Sequence, residues 1–249
     1  MSINELANAI KSDELQVYYQ PKIDVNSNTV VGVEALIRWH KADGTVVMPN
    51  DFIPLAESSN LIIPLGEYVL RSACFEVAKW LEHYPDITLA VNLSSVQFNP
   101  SFIALLNNVL AETHFPPQQF EVEITETVLI NNEHAIETSN LLKKAHVKIS
   151  LDDFGTGYSS LSYVKNFPLD ILKIDQSFIM SMLNDTKNMS IVKTIINFAK
   201  DLSLVPVAEG VESQEHANTL KSLGCSLLQG YFYSKPISPN EIRAWLDNF

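Results

Sequence analysis

Positive charge is scarce in this chain. Its 249 residues include 17 Lys and Arg against 29 Asp and Glu, which gives a formal net charge of −12. Binding to a nucleic-acid backbone requires a basic surface, so the composition argues against DNA or RNA as a partner. An acidic protein can still bind phosphate groups if metal ions supply the positive charge.

Cysteine and long apolar segments are also scarce. Two cysteines, Cys74 and Cys225, are too few for a disulfide framework, which favours a reducing cytoplasm. The N-terminal segment has no apolar signal core. Residues 87–111 carry no formal charge, but their Asn, Ser and Gln side chains would be costly to bury in lipid. We therefore expect no membrane segment in this chain.

The arrangement of apolar residues predicts an α/β barrel. Apolar residues make up 46% of the chain, which excludes a disordered protein, although length alone allows either two small domains or one large one. Short β-branched runs alternate with helical patterns, which predicts a parallel sheet. Eight strand candidates fit a (β/α)₈ barrel better than an open doubly wound sheet. The strand candidates are 15–19, 30–33, 88–91, 120–124, 147–151, 171–174, 205–208 and 226–228, and the helical patterns are 67–81, 102–111, 135–145, 191–202 and 214–223.

Three segments modify the ideal barrel. About ten residues separate the first two strand candidates, too few for a parallel crossover, so these strands should pair antiparallel as a hairpin. Residues 41–64 are long for a loop and could contain a short helix at 51–57. Residues 1–14 predict an N-terminal helix that packs on the barrel, with Ser2 and Glu5 as a capping box. We expect a single domain over 1–249.

A polar residue lies at or next to the end of each strand candidate. Because barrel enzymes place their active sites at the C-terminal face of the sheet, these eight side chains should converge at one mouth. Four are carboxylates, which repel one another unless a cation lies between them, and oxygen ligands suit Mg²⁺ or Mn²⁺. Any one of them could instead be an ordinary turn residue. The eight residues are Gln20, Glu34, Asn92, Glu123, Asp152, Lys173, Glu209 and Gln229.

Seven sequence motifs give these residues a family context. The motifs resemble, in order and spacing, those of EAL domains, which are modified TIM barrels with one antiparallel strand and act as cyclic di-GMP phosphodiesterases. The resemblance covers about residues 15–236. The motifs are EAL (34–36), VNLS (91–94), EITE (123–126), DDFGTGYSS (152–160), LKID (172–175), AEGVE (208–212) and QGY (229–231).

The resemblance implies a catalytic site with two Mg²⁺ or Mn²⁺ ions that hydrolyses cyclic di-GMP to linear pGpG. It assigns the first ion to Glu34, Asn92, Glu123 and Asp152, and the second to Asp152, Asp153 and Glu209. It also implies that Lys173 holds the attacking water, although an ion pair with a neighbouring carboxylate is an alternative role compatible with this one.

The resemblance also implies substrate contacts and a supporting loop. Arg38 would bind a substrate phosphate, Gln20 would contact a guanine edge, and Gln229 and Glu212 would lie on the substrate side. The loop 153–160 would hold the aspartates and contact a second copy in a homodimer. The residues implied to support this loop are Glu126, Gly155, Thr156, Gly157 and Asp175.

Several alternatives stay open on the sequence alone. A catalytically silent cyclic di-GMP receptor would use the same pocket, and an unrelated metal-dependent barrel hydrolase would require the motif match to be accidental. Pro206 lacks an amide donor and could shift Glu209. The family implies a bacterial cytoplasmic location and often an additional sensor domain.

Overall fold

The computed structural model describes residues 2–12, 14–155 and 161–249. Nine strands occur in this part of the chain, and their lengths differ widely. They are β1 (Leu15–Asp24), β2 (Thr29–His40), β3 (Val46–Val47), β4 (Thr88–Asn92), β5 (Phe120–Thr125), β6 (Lys148–Phe154), β7 (Ile171–Ile174), β8 (Val205–Ala208) and β9 (Leu227–Leu228).

Helices follow most of the strands and form the outer layer. The helices are α1 (Ile3–Ala9), α2 (Pro49–Ser58), α3 (Ile62–Ala78), α4 (Pro100–Thr113), α5 (Glu126–Asn131), α6 (Ala135–Lys144), α7 (Leu161–Asn166), α8 (Gln176–Ser181), α9 (Thr186–Asp201), α10 (Gln214–Leu223) and α11 (Ile242–Asn248). None of the helices in the described ranges is long and apolar enough to cross a bilayer.

Eight of the strands close into a barrel, which confirms the predicted fold. Around the barrel the order is β1, β9, β8, β7, β6, β5, β4, β2 and back to β1, with β3 paired to β2 outside the ring. The strand β1 runs antiparallel to both of its neighbours, and the other barrel pairs are parallel. The expected hairpin between the first two strands is therefore present.

The hairpin strands are longer than their apolar runs predict. The strand β2 continues seven residues past Val33 to His40, and it faces β1 from Leu15–Trp39 to Asp24–Thr29. Glu34 and Gln20 lie opposite each other inside this ladder rather than at strand ends. The polar residues inside the barrel interrupt the apolar alternation, which hides the true length of both strands.

The long segment 41–64 contains more structure than predicted. It holds the short strand β3, all of α2, and the beginning of α3. Pro49 begins α2 at a position where its missing amide has no helical partner to lose. Phe52 is fully buried and contacts Trp39 edge to face, which holds this segment against the barrel.

Pro206 does not displace the strand that carries it. It lies opposite Leu172 in the parallel ladder with β7, and the next residues continue the pairing to Ala208. The amide of Glu209 then donates to the carbonyl oxygen of Ile174 at 3.2 Å. The position of Glu209 is therefore set by the ladder beyond the proline.

The N-terminal helix α1 buries Leu6 and Ala9 in the main apolar core, while Ile3 is half exposed. The capping box predicted from Ser2 and Glu5 is present, because each side chain accepts a hydrogen bond from the backbone amide of the other residue.

Candidate active site

Side chains from across the barrel converge on Lys173, which is fully buried. The strands β2 and β7 are not neighbours, so a contact between their side chains must cross the barrel interior. The atom Nζ of Lys173 lies 2.6 Å from Glu209 Oε1, 2.7 Å from Glu123 Oε2, 3.2 Å from Asp152 Oδ1 and 3.7 Å from Glu34 Oε2. The structure thus brings together five of the residues that the strand-end pattern singled out.

A β-bulge directs two consecutive aspartates to the same site. In a regular strand, Asp152 and Asp153 would point to opposite faces. The pairing of β6 with β7 shifts between Leu151 and Phe154, and Asp153 adopts a left-handed backbone with φ of 54°. As a result, carboxylate oxygens of Asp152, Asp153 and Glu209 all lie within 4.8 Å of one another. Strain of this kind at a non-glycine residue is typical of functional sites.

Three of the carboxylates have raised pKa values, which favours their protonated forms. Burial, together with the charge of Glu123, raises the pKa of Glu34 to about 7. Burial also raises the pKa of Glu209 well above its usual value, against the opposing effect of Lys173. Desolvation and the neighbouring charge of Asp152 raise the pKa of Asp153 to about 6. The site carries more negative charge than Lys173 neutralises.

Glu123 differs from these carboxylates because lysines hold both of its oxygens. Burial disfavours its ionised form, but Lys173 and Lys22 outweigh burial and lower the pKa of Glu123 to about 2. Burial likewise opposes the charged form of Lys173, but Asp152, Glu123 and Glu209 together hold its pKa well above the usual value. Both side chains are therefore ionised at neutral pH.

Amide side chains line the other side of the mouth. Asn92 donates to Glu34 Oε1 at 2.6 Å, which leaves the amide oxygen as its potential cation ligand. Gln229 donates to Glu34 Oε2 at 2.6 Å and to Gln20 Oε1 at 3.1 Å. The oxygen Oε1 of Gln229 is buried and has no hydrogen-bond partner among the described residues. A buried oxygen that lacks a hydrogen-bond partner at a cavity wall can accept a hydrogen bond from a bound ligand.

Two cavities flank this cluster and share Leu36 and Gln176 in their walls. The larger is about 740 Å³ and is lined by Arg38, Asn92 and Glu123, among others. The smaller is about 430 Å³, and its lining includes Gln20, Glu34, Asp152, Glu209, Glu212 and Gln229. The carboxylates thus lie between two concave surfaces.

Arg38 is held at the wall of the larger cavity. Its guanidinium lies over the ring of Tyr18, with 5.8 Å between Cζ and the ring centroid, and donates to the carbonyl oxygen of Ile37 at 2.8 Å. These contacts leave further guanidinium donors, which suit a phosphate.

The residues expected to support the loop after β6 are only partly described. Glu126 begins α5 and accepts a hydrogen bond from the amide of Gly155 at 2.9 Å. Asp175 caps α8 by accepting from the amide of Ser177 at 2.9 Å, and it also bonds to Asp153. Thr156 and Gly157, like the rest of 156–160, lie outside the described residues. The expected dimer contact of this loop therefore stays a prediction.

The pattern at strand ends does not single out Lys22 and Glu121. Both are buried, and Lys22 Nζ lies 2.9 Å from Glu121 Oε1 and 2.7 Å from Glu123 Oε1. Their signal is the strand period of two: Lys22 follows Gln20 and Glu121 precedes Glu123, so each pair faces the same side. These two residues form a deeper layer, one step below the mouth.

The donor set fits hard divalent cations. Carboxylate oxygens and one amide oxygen are the ligands that Mg²⁺ and Mn²⁺ prefer, and the raised pKa values indicate uncompensated negative charge. Histidine and cysteine, the usual zinc ligands, contribute to no such cluster within the described ranges.

The comparisons with known proteins agree with this geometry. A family model described as the EAL domain matches residues 3–236. The chain belongs to the EAL domain family. The resemblance predicted from the seven motifs is thereby confirmed.

Named relatives and solved structures support the same family. The chain is 36% identical over 246 residues to the cyclic di-GMP phosphodiesterase PdeR of Escherichia coli, covering 98% of this chain and 37% of that protein. The solved PaMucR phosphodiesterase in complex with cyclic di-GMP has a TM-score of 0.92 at 36% identity, covering 96% of this chain and 98% of the other. The EAL enzyme Bd1971, solved with cAMP and cyclic di-GMP, has a TM-score of 0.93 at 32% identity, covering 98% and 67%.

This EAL chain spans about a third of the length of the curated relatives it matches. Domains outside the aligned third belong to those relatives, and their activities and partners do not transfer to this chain.

Proposed function

We propose that this EAL domain hydrolyses cyclic di-GMP to linear pGpG with the help of two divalent cations. The observation that carries the proposal is the convergence of Glu34, Glu123, Asp152 and Glu209 on Lys173, with Asp153 added by the bulge in β6. The matches to relatives named cyclic di-GMP phosphodiesterases support the choice of substrate.

The chain offers one ligand set for each cation. Glu34, Asn92, Glu123 and Asp152 would hold the first, and Asp152, Asp153 and Glu209 the second. When bound, such cations neutralise charge on phosphoryl oxygens and lower the pKa of water at the site.

The other residues bind and orient the substrate. Arg38 would donate to a phosphate oxygen, while Gln20 and Gln229 would contact a guanine at the smaller cavity. Glu212, whose side chain lines the same cavity, would contribute on the substrate side. The two cavities, separated by the carboxylates, would each take one half of a cyclic dinucleotide.

Lys173 serves the reaction through its ammonium group. It lies between the carboxylates of both cation sites, so it would donate a hydrogen bond to the attacking water and stabilise the charge that builds on the phosphoryl group. The oxygen of water forms a bond to phosphorus as the bond from phosphorus to the 3′ oxygen breaks, and one proton of that water ends on the 3′ oxygen, which gives the 5′ phosphate and free 3′ hydroxyl of pGpG.

Product analysis tests this proposal. Purified protein is incubated with cyclic di-GMP and Mn²⁺, with and without EDTA, and the nucleotides are separated by chromatography. We expect pGpG only when the cation is present. A Glu123→Gln variant should lose activity by orders of magnitude, and Glu215→Gln, an exposed carboxylate on α10, is the matched control.

Measuring cyclic di-GMP binding to the same protein beside product formation separates the alternatives. Cyclic di-GMP binding without turnover would identify a receptor, and neither binding nor turnover would favour an unrelated hydrolase. We also propose that the protein acts in the bacterial cytoplasm and forms a homodimer. Size measurement at several concentrations tests the homodimer.

A further inference from the structure

A second lysine lies beneath the candidate cation sites, in contact with Glu123. Lys22 is on β1 and lies opposite Gly32 on β2, whereas Gln20 and Glu34 face each other one layer nearer the mouth. Lys22, Glu121 and Glu123 are each at most 3% exposed. The strands β1 and β5 are not neighbours in the barrel, so these contacts cross its interior.

The buried ion pair of Lys22 and Glu121 is unusual inside an α/β barrel. The interior of an eight-stranded α/β barrel is normally filled with branched aliphatic side chains. A buried ion pair contributes little net stability, because its desolvation cost offsets its attraction, and an apolar pair of similar volume is often as stable. A role in stability alone therefore does not account for Lys22 and Glu121.

The geometry around Glu123 suggests another role. Lys22 holds Oε1 at 2.7 Å from the inner side, and Lys173 holds Oε2 at 2.7 Å from the mouth. Glu121 accepts from the same ammonium at 2.9 Å, which fixes Lys22 and cancels its charge. The carboxylate of Glu123 therefore has one oxygen bonded to Lys22 below and one directed to the cation sites.

We propose that Lys22, held by Glu121, is a positioning residue that makes Glu123 present only Oε2 to a cation. This rests on the proposed cation-binding role of Glu123. Groups that orient metal ligands typically affect metal affinity by about 10- to 100-fold when they are removed.

The test measures metal binding directly. The double variant Lys22→Met/Glu121→Gln removes both charges of the pair, so the local net charge stays unchanged and Glu121 is not left as an unpaired buried carboxylate, while Glu123 keeps its contact with Lys173. Mn²⁺ is titrated into EDTA-stripped protein, and bound metal is followed by loss of the free-ion EPR signal. We expect the Mn²⁺ dissociation constant to rise about 10- to 100-fold.

A control separates positioning from structural support. Lys143 Nζ lies 2.5 Å from Asp170 Oδ1 in a partly exposed ion pair on the outside of the barrel. Lys143→Met should lower thermal stability slightly while leaving the Mn²⁺ dissociation constant within twofold of the parent value. The double variant should instead raise the Mn²⁺ dissociation constant about 10- to 100-fold. A change in melting temperature alone would not produce such a rise, because the Lys143→Met control also changes the melting temperature.

The outcomes are distinct. A folded double variant that binds Mn²⁺ within twofold of the parent overturns the positioning role while leaving the proposed function intact. A parent protein that does not bind Mn²⁺ overturns both. If the double variant does not fold, Lys22→Leu/Glu121→Leu takes its place, because an apolar pair of similar volume also removes the contact with Glu123 without changing the net charge. Unchanged affinity in that variant also rejects the role, and a loss of about tenfold supports it.

Discussion

Replacing Lys173 by methionine tests whether its ammonium and the cations neutralise the same carboxylates. The substitution keeps a side chain of similar length and removes the charge that lies within 4 Å of Glu34, Glu123, Asp152 and Glu209. Removing one partner of a buried ionic cluster costs about 3–5 kcal/mol. For a chain of this size, about 1 kcal/mol shifts the melting temperature by about 2–4 °C. We therefore expect the melting temperature in EDTA to fall by roughly 6–20 °C.

The fall in melting temperature caused by Lys173→Met should depend on both metal and pH. Mn²⁺ at 100 times its dissociation constant stabilises a folded protein by about 2.7 kcal/mol for each site. Because the Lys173→Met site has one more uncompensated negative charge, it should bind Mn²⁺ more tightly than the parent, so the loss should be smaller in Mn²⁺ than in EDTA. In EDTA the loss should be smaller at pH 6 than at pH 8, because protonated Glu34 no longer needs a counter-charge. The assay is a thermal melt at both pH values, with and without Mn²⁺, and Lys143→Met is the control. Equal losses under all four conditions would refute the reasoning.

Three further predictions follow from the same site. First, the folded-state pKa values of Glu34 (about 7) and Asp153 (about 6) lie above their unfolded values, so protonation stabilises the metal-free protein and this stability is lost as pH rises through 6–7. Protons also compete with cations, so Mn²⁺ affinity should rise over that interval, and an affinity independent of pH in titrations from pH 5.5 to 8 would contradict this. Second, Asp153→Gly removes backbone strain at φ of 54° and should raise the melting temperature in EDTA by a few degrees while weakening Mn²⁺ binding; a lower melting temperature would argue against strain. Third, Arg38→Lys replaces a planar fork with a point charge and should raise the KM for cyclic di-GMP at least several-fold, whereas an unchanged KM would remove Arg38 from the substrate site.

The barrel and the ring of residues around Lys173 are predictable because both follow from strand periodicity. Apolar runs give the number of strands, and their C-terminal ends share one face of a parallel barrel. That rule alone is enough to bring Asp152, Lys173 and Glu209 near one another. The family motifs then supply the particular ligand assignments.

The bulge at Asp153 is not predictable in the same way. Strand periodicity puts consecutive side chains on opposite faces, so Asp152 and Asp153 would be separated by a regular β6. The shift of register depends on how β6 pairs with β7, which is a contact between segments distant in sequence. The boundaries of β1 and β2 escape prediction for a related reason, because each strand gains its length from pairing with the other.

Charge balance connects the deeper layer to the mouth. If Glu34, Glu123, Asp152, Asp153 and Glu209 are ionised, five negative charges face the single positive charge of Lys173, which leaves four to be neutralised. Two divalent cations supply that amount. The deeper pair changes nothing in this balance, because the charge of Lys22 is cancelled by Glu121. A lysine without Glu121 would neutralise one of the negative charges that attract the cations, and cation binding would weaken. The Lys22–Glu121 pair is neutral overall, so it can orient Glu123 without reducing that negative charge.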